Sequence, residues 1–239
     1  MKFIIEDDIF RIFPDLRIGV VLGRGLRIGK RLKELENLIE DNRKKLLEKM
    51  ENKKLTDFTN IKSWRETYRQ MGLDQEKYIP AVEALVRRVI KGYNLPIINT
   101  AVNAYLTAAL LTMLPIGGFD LAAIDGDIRL RVSRGGEMFK PPGGVDMEFT
   151  APGEIVYSDA KTILTRHWNF RDCDCAIITE NSTLIVLSSE AALKDISTRD
   201  LIEALCKIIE YESAFCQGMY STFILDKMNP EVELQYNNK

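Results

Sequence analysis

The sequence has few of the residues that would indicate a metal site or a disulfide-bonded fold. Its 239 residues contain one histidine and four cysteines. A zinc site needs two closely spaced pairs of ligands, and four cysteines in a chain of this length do not make a disulfide framework. Cys173 and Cys175 are close in sequence, whereas Cys206 and Cys216 are ten residues apart. We therefore expect no metal, no cofactor and mainly buried, reduced thiols.

Long hydrophobic runs are also missing. The longest apolar stretch, 101–114, is interrupted by Asn103, Tyr105 and Thr107, and it is too short to span a membrane. The first ten residues, MKFIIEDDIF, place acidic residues directly behind a short apolar run. That arrangement is not typical of a secretion signal. These features predict a cytoplasmic protein that makes no membrane contact.

Neither sign of charge dominates the sequence. The chain has 33 Lys and Arg residues against 35 Asp and Glu residues, a formal net charge of −2. Proteins that bind nucleic acid over a broad surface are usually basic, so the composition gives no support for DNA binding. Segment 30–50 is amphipathic, and the mixed signs on its polar side favour an ordinary solvated face over an RNA-binding face.

The most informative stretch of the sequence is 99–139, where the hydrophobic pattern changes several times. Residues 100–114 are almost wholly apolar at helical spacing. Pro115 and the pair Gly117 and Gly118 then predict the end of that helix and a glycine corner. Alternating residues follow, as in a half-buried strand. Its apolar positions are Ile128, Leu130 and Val132.

Hydrophobic periodicity predicts further elements on both sides of this stretch. We expect helices over 30–50, near 64–69 and between Pro80 and Gly92, and a last helix capped by Ser197 or Thr198. Strands are expected over 16–22, 154–157, 162–166, 173–179, 184–188 and 220–225. The polar tail 229–239 is expected to fray.

The sequence LPIGGFDLAAIDGDIRLRVSRGGEMF, preceded by the apolar helix, closely resembles the B3/B4 tRNA-editing module of the phenylalanyl-tRNA synthetase beta subunit. It resembles the free-standing proteins that consist of this module alone more closely still. The resemblance extends from about Leu16 to about Leu225. It implies one compact α+β domain over 1–239, with a strand-rich core of two packed sheets and four to five helices. Its parts are an N-terminal strand and helices (1–98), a core helix and sheet (99–190), and a C-terminal helix and strand (191–239).

Candidate chemistry is concentrated in segment 166–172, Arg-His-Trp-Asn-Phe-Arg-Asp, which holds the only histidine. The unperturbed pKa of a histidine lies near neutrality, so His167 could act as a general base or acid, but a partly exposed histidine at a strand end is the simpler interpretation. In an extended strand, His167, Asn169 and Arg171 would share one side, where they could bind a carboxylate, phosphate or ribose group. Trp64 and Tyr68, four residues apart on a helix, are predicted to pack in the core, with ligand contact as the alternative.

The resemblance places this segment where the synthetase module has a Met-Gly-Gly-Glu run. The glutamate position falls on Arg171 or Asp172, and a histidine of the synthetase pocket falls on Gly117. These differences remove groups that the synthetase uses for an amino acid with a hydroxyl, so tyrosine specificity is not carried over. No catalytic residue is assigned. The predicted substrate-binding residues are Gly117, Gly118, His167, Trp168, Asn169, Arg171 and Asp172.

The function implied by the resemblance is binding of the aminoacyl end of tRNA. Hydrolysis of mischarged aminoacyl-tRNA in trans, by an ester-cleaving deacylase, is the activity that would follow, although the residues leave turnover open. Cleavage would depend on a positioned water and on backbone N–H groups near Gly117 and Gly118. The alternative is a non-catalytic module that binds an amino-acid-like small molecule or a protein partner.

Overall fold

A computed structural model describes residues 1–143 and 146–234. Within these residues the chain forms six α-helices and twelve strands. The helices are α1 (Asp7–Ile12), α2 (Lys33–Met50), α3 (Thr59–Gln70), α4 (Ala81–Ile90), α5 (Thr100–Thr112) and α6 (Thr198–Cys216). The first six strands are β1 (Lys2–Ile5), β2 (Arg17–Arg24), β3 (Ile116–Asp120), β4 (Ile128–Val132), β5 (Met138–Phe139) and β6 (Glu148–Phe149). The other six are β7 (Ile155–Ser158), β8 (Ile163–Arg166), β9 (Arg171–Asp172), β10 (Leu184–Ala191), β11 (Met219–Leu225) and β12 (Glu231–Glu233).

Two sheets carry the fold. The larger sheet has the strand order β12-β1-β4-β7-β8-β9, and only its β1–β4 pair is parallel. The smaller sheet has the order β11-β2-β10-β3 and is antiparallel throughout. Strands β5 and β6 form a separate hairpin. The result confirms an α+β domain with two packed sheets, and it has one helix more than the upper expectation.

The two faces of β10 explain how these layers pack. Val186 contributes to a core between the two sheets, together with Val20 of β2 and Leu130 of β4. Its neighbours Ile185 and Leu187 point the other way, into a second core with α5 and α6. A strand covered on both faces is expected to be apolar on both faces. Polar residues in β10 therefore mark a place where the packing is different.

The helix ends follow their capping chemistry. Ser197 caps α6, and its hydroxyl accepts a hydrogen bond from the Asp200 N–H while the Asp200 carboxylate accepts one from the Ser197 N–H. This reciprocal pair is a capping box and confirms the sequence prediction. Asn99 caps the start of α5, where its side chain accepts a hydrogen bond from the Val102 N–H, and Met113 caps its end with left-handed backbone angles.

Several local predictions are wrong. Residues Gly117 and Gly118 lie within the strand β3 rather than in a corner. No strand covers 173–179; β9 ends at Asp172. The tail is ordered as far as Leu234, because β12 pairs with β1, and the remaining positions of the predicted frayed segment lie outside the described residues.

The cysteines also differ from expectation. Cys173 and Cys175 form a disulfide, Cys206 is exposed, and Cys216 is the buried free thiol. The two bonded positions do not lie in a strand, and the loop that follows β9 brings the two sulfurs together. Within the described part of the chain, no helix has the length and hydropathy needed to cross a membrane.

Candidate functional site

A cavity of about 50 Å3 opens between the two sheets. From the smaller sheet it is lined by Gly117, Gly118, Phe119, Ser188 and Glu190. From the larger sheet and its connecting turn it is lined by Tyr157, Thr165, Trp168, Asn169 and Asp172. Since one water needs roughly 10–15 Å3 on this measure, the cavity has room for a few waters or a small chemical group.

The turn that joins β8 to β9 shapes one wall of the cavity. His167 and Trp168 have φ angles of 47° and 68°, which non-glycine residues seldom adopt and which cost about 1–3 kcal/mol each. Three hydrogen bonds hold them there. The N–H groups of His167 and Trp168 donate to Glu154 Oε1 and to the Ile155 carbonyl, and the Thr165 hydroxyl donates to the Trp168 carbonyl. The turn is therefore fixed by the strands beside it.

This turn sends successive side chains in different directions. The Trp168 ring is buried against Trp64 and Phe13, at ring-centroid distances of 5.3 and 5.2 Å. Asn169 points into the cavity region, where its Oδ1 accepts a hydrogen bond from Tyr68 Oη at 2.9 Å. Tyr68 and Trp64 are both fully buried. The core interpretation of this pair is confirmed, and Tyr68 also positions a residue that lines the cavity.

Glu190 is the most buried acidic group of the cavity, with 3% of its surface exposed. Tyr157 Oη donates to its Oε1 at 2.9 Å, and Asn169 Nδ2 donates to its Oε2 at 3.2 Å. Ser188 Oγ lies 3.5 Å from Oε1. Each carboxylate oxygen is thus oriented by a neutral donor, and among the residues that the structure describes no cationic side chain lines this cavity. A carboxyl in such surroundings is poorly solvated when ionised.

The electrostatics of the cavity follow from that burial. Burial raises the pKa of Glu190 to about 7, although the hydrogen bonds from Tyr157, Asn169 and Ser188 oppose the shift. Burial also raises the pKa of Asp172 to about 6. Asp172 as a whole residue is exposed, so its carboxyl is more accessible to water than that of Glu190. Burial, and then the nearby Glu190, keep the pKa of Tyr157 well above its ordinary value, so Tyr157 remains a hydrogen-bond donor.

The two glycines of β3 serve different purposes. A Cβ on Gly118 would come within 2.5 Å of the Val186 carbonyl oxygen and closer still to Leu187 Cδ2. A Cβ on Gly117 would meet no atom within 4 Å. Gly117 pairs with Ser188 across the ladder, so it shares a face with Ser188 and Glu190. Gly118 allows close packing on β10, whereas Gly117 leaves the cavity open.

The structure separates the sequence-predicted site residues into two groups. Gly117, Gly118, Trp168, Asn169 and Asp172 line the cavity. His167 and Arg171 instead line a second pocket on the other side of the turn. The predicted alternation fails here because 167–170 is a turn rather than an extended strand. His167 is buried rather than partly exposed.

Arg171 forms an ion pair with a glutamate of β6. Its Nη1 lies 2.7 Å from Glu148 Oε1, and the pair is partly exposed. Arg166 Nη1 also lies 2.9 Å from Glu148 Oε2. Arg171 therefore belongs to a network of ion pairs on the outer side of the turn.

Sequence reasoning missed the acidic centre of the cavity. Glu190 lies two residues beyond the predicted end of its strand at Ser188, in β10. β10 begins with four apolar residues and then continues Ser-Ser-Glu, and in this polar part Ser188 and Glu190 are alternate residues that share a face. That spacing was the available signal. No group of three or more His, Cys, Asp or Glu side chains within residues 1–143 and 146–234 is arranged to hold a metal ion.

Comparison with known proteins adds the family. The sequence model of the B3/4 domain matches residues 63–205 of this chain, which is more than half of its length and includes every residue that lines the cavity. The chain belongs to the B3/4 domain family. Among curated proteins, none matches the sequence.

A solved structure is also similar to this B3/4 domain protein. It is an N-terminal fragment of the phenylalanyl-tRNA synthetase beta subunit from Pyrococcus horikoshii. The two share 11% sequence identity and a TM-score of 0.46. The similarity covers 98% of this chain and 54% of that fragment, so the chain spans about half the fragment's length.

Proposed function

We propose that this B3/4 domain protein binds the aminoacyl end of tRNA and hydrolyses mischarged aminoacyl-tRNA in trans. The observation that carries the proposal is a buried carboxyl, Glu190, that lines a small cavity and has a pKa of about 7. A general base is most effective when its pKa lies near the working pH. Burial is the usual way in which the pKa of a glutamate is raised to that value. Family membership supports aminoacyl-tRNA as the substrate class.

The two carboxyls of the cavity have different tasks in this proposal. Glu190 is fixed by Tyr157 and Asn169, and its ionised form accepts a proton from a water in the cavity. Asp172 lines the same cavity and is the more exposed group. At neutral pH it is mostly ionised, because its pKa is about 6. Its charge complements the ammonium group of the aminoacyl ester.

Hydrolysis then proceeds in two steps. The water oxygen attacks the ester carbonyl carbon while its proton passes to Glu190. The ester bond to the ribose oxygen breaks next, and that oxygen takes the proton back from Glu190. This scheme needs no covalent nucleophile, since water is the attacking group.

An amide of β3 is suited to the oxyanion of the intermediate. β3 is the outer strand of its sheet, and the Asp120 N–H points away from β10 to the Ala176 carbonyl. Strand amides alternate in direction, so the Gly118 N–H points the same way as that of Asp120. Gly118 also lines the cavity. A backbone donor at this position would stabilise negative charge without moving.

The test is incubation of the protein with a panel of mischarged tRNAs, followed by measurement of ester loss. We expect at least one ester to be cleaved faster than its spontaneous rate. Gly117→Val should abolish that cleavage because its side chain fills the open side of the cavity, while the fold remains intact. Ser63→Ala, on α3 outside the cavity lining, provides a control variant. Failure of every ester to be cleaved would exclude the enzymatic proposal.

The small cavity volume also favours the alternative, a non-catalytic module that captures an amino-acid-like molecule. The two proposals differ in what they bind. A mobility shift with total tRNA supports the first, whereas thermal stabilisation by free amino acids without such a shift supports the second.

A further inference from the structure

The second pocket lies directly across the β8–β9 turn from the cavity. It has a volume of about 390 Å3, within the range of roughly 300–1,000 Å3 that is common for small-molecule sites. The same two segments border both sites. In the first segment, Lys77 and Tyr78 line the pocket and Ala81 lines the cavity. In the β8–β9 turn, His167 lines the pocket and Asn169 lines the cavity.

The charge of this pocket is opposite to that of the cavity. Its cationic side chains are Lys77, Arg166 and Arg171, and its only lining carboxylate among the described residues is Glu148. Glu148 already contacts both arginines. Lys77 is exposed, and its Nζ lies 5.1 Å from the centroid of the Tyr78 ring. An anion entering the pocket would meet Lys77 and Arg171 first, because Arg166 is more deeply placed.

Aromatic rings form the rest of the wall. Tyr78 lies 4.3 Å from His167 and 5.1 Å from Phe170, in both cases measured between ring centroids. Burial lowers the pKa of His167, and this outweighs the opposing effect of Glu154, so the imidazole is neutral at pH 7. Cations beside aromatic rings are the combination that binds nucleotides, since the rings stack on a base and the cations contact phosphate.

We propose that this pocket binds a nucleoside monophosphate unit, with Lys77 and Arg171 on the phosphate and the Tyr78–Phe170 wall against the base. Its identification as the terminal nucleotide of tRNA rests on the function proposed above. In that case the acidic cavity takes the aminoacyl group and the cationic pocket takes the nucleotide that carries it. The shared wall then fixes the distance between the two parts of one ligand.

The test uses adenosine 5′-monophosphate as the probe and isothermal titration calorimetry as the measurement. Lys77→Glu should weaken binding about tenfold or more, because a charge-assisted contact is replaced by repulsion. Glu148→Gln should strengthen binding, because it removes the lining carboxylate and frees Arg171 from its ion pair, while Arg166 stays paired with Glu154. A residue with a purely structural role would not produce these opposite signs. Adenosine without phosphate should bind more weakly and respond little to either change.

Lys53→Glu provides a matched control. Lys53 is also exposed and lies over an aromatic ring, 5.7 Å from the Phe58 centroid, but it does not line the pocket. Its substitution should leave the affinity unchanged. The proposal is overturned if adenosine 5′-monophosphate does not bind at millimolar concentration, if Lys77→Glu binds it like wild type, or if Glu148→Gln does not strengthen binding.

These outcomes are separate from those of the proposed hydrolysis. If the nucleotide binds as expected but no mischarged tRNA loses its ester, the pocket assignment stands and the enzymatic proposal fails. If an ester is cleaved and Lys77→Glu changes neither cleavage nor nucleotide binding, the pocket assignment fails alone.

Discussion

Glu154 and Glu190 are both buried glutamates that hold the β8–β9 turn, but their surroundings are opposite. They are 6% and 3% exposed. Burial raises the pKa of Glu154, but its hydrogen bonds to Arg166 and to the Ala151 N–H outweigh that effect and lower the pKa overall. Glu190 has only neutral donors, and its pKa rises to about 7. A buried glutamate with an arginine partner stabilises the fold, whereas one without a cation beside an open cavity is available for chemistry.

The largest change in stability is expected when the arginine-paired glutamate, Glu154, is replaced. Glu154→Gln should lower the free energy of unfolding at pH 7 by about 3–5 kcal/mol, because the mostly buried Arg166 loses its main ionic partner. Urea unfolding measures this difference. A loss below about 1 kcal/mol would show that Arg166 is adequately paired by Glu148 alone, and the contrast between the two glutamates would then weaken.

Glu190→Gln should raise the free energy of unfolding at high pH, whereas Glu154→Gln should lower it. The folded-state pKa of Glu190 is about 7, above its ordinary 4.5. The folded protein therefore keeps a proton that the unfolded chain loses, and the wild-type free energy of unfolding falls as pH rises from about 4.5 through 7. The fall attributable to this group is about 3 kcal/mol.

Glu190→Gln should lack this fall. Its free energy of unfolding should therefore rise relative to that of the wild type as the pH increases from 4.5 to 8. Urea unfolding across that pH range provides the measurement. Parallel curves for the two proteins would mean that Glu190 titrates near its ordinary pKa and that its ionised carboxylate is well solvated in the folded protein.

Asp172→Asn should act in the same direction but more weakly. The folded-state pKa of Asp172 is about 6 instead of its ordinary 3.8, so wild-type stability should decline as pH rises from about 4 through 6. Its solvent exposure reduces the effect below that of Glu190. The same unfolding series measures this decline. An effect larger than that of Glu190→Gln would show that Asp172, and not Glu190, is the less solvated carboxyl of the cavity.

The smallest change in stability is expected when the partly exposed ion pair between Arg171 and Glu148 is altered. Arg171→Lys should change the free energy of unfolding by no more than about 1 kcal/mol, because Arg171 and Glu148 are partly exposed. The same variant should weaken binding of adenosine 5′-monophosphate, since lysine lacks the planar fork of arginine. A large stability loss with unchanged nucleotide affinity would assign Arg171 a structural role instead.

The fold could largely be predicted from the sequence because its signals are local. The α6 capping box and the β4 alternation each depend on a few neighbouring residues. β3 was missed because Gly117 and Gly118 are typical of turns, and only the pairing with β10 makes them a strand. Glycine at 118 is needed there because Leu187 and the Val186 carbonyl occupy the space of a side chain.

The site was predicted only in part because its geometry depends on contacts distant in sequence. The left-handed angles of His167 and Trp168 depend on groups from 154 to 165, and no local pattern indicates them. Glu190 could have been recognised from its alternation with Ser188, but its raised pKa depends on burial in the assembled cavity. Both features appear only when the two sheets come together.

The role of Glu190 as general base is tested most directly by single-turnover cleavage of whichever mischarged tRNA the wild type hydrolyses. Glu190→Gln should reduce the rate by about 10²-fold or more, as expected for loss of a general base, and the wild-type rate should rise with pH through about 7. Glu212→Gln is the matched control, because Glu212 is also a buried glutamate with a pKa raised by burial, but it lies in α6 and does not line the cavity. It should cleave like wild type. Equal rates for Glu190→Gln and wild type would contradict the assignment of Glu190 as the general base.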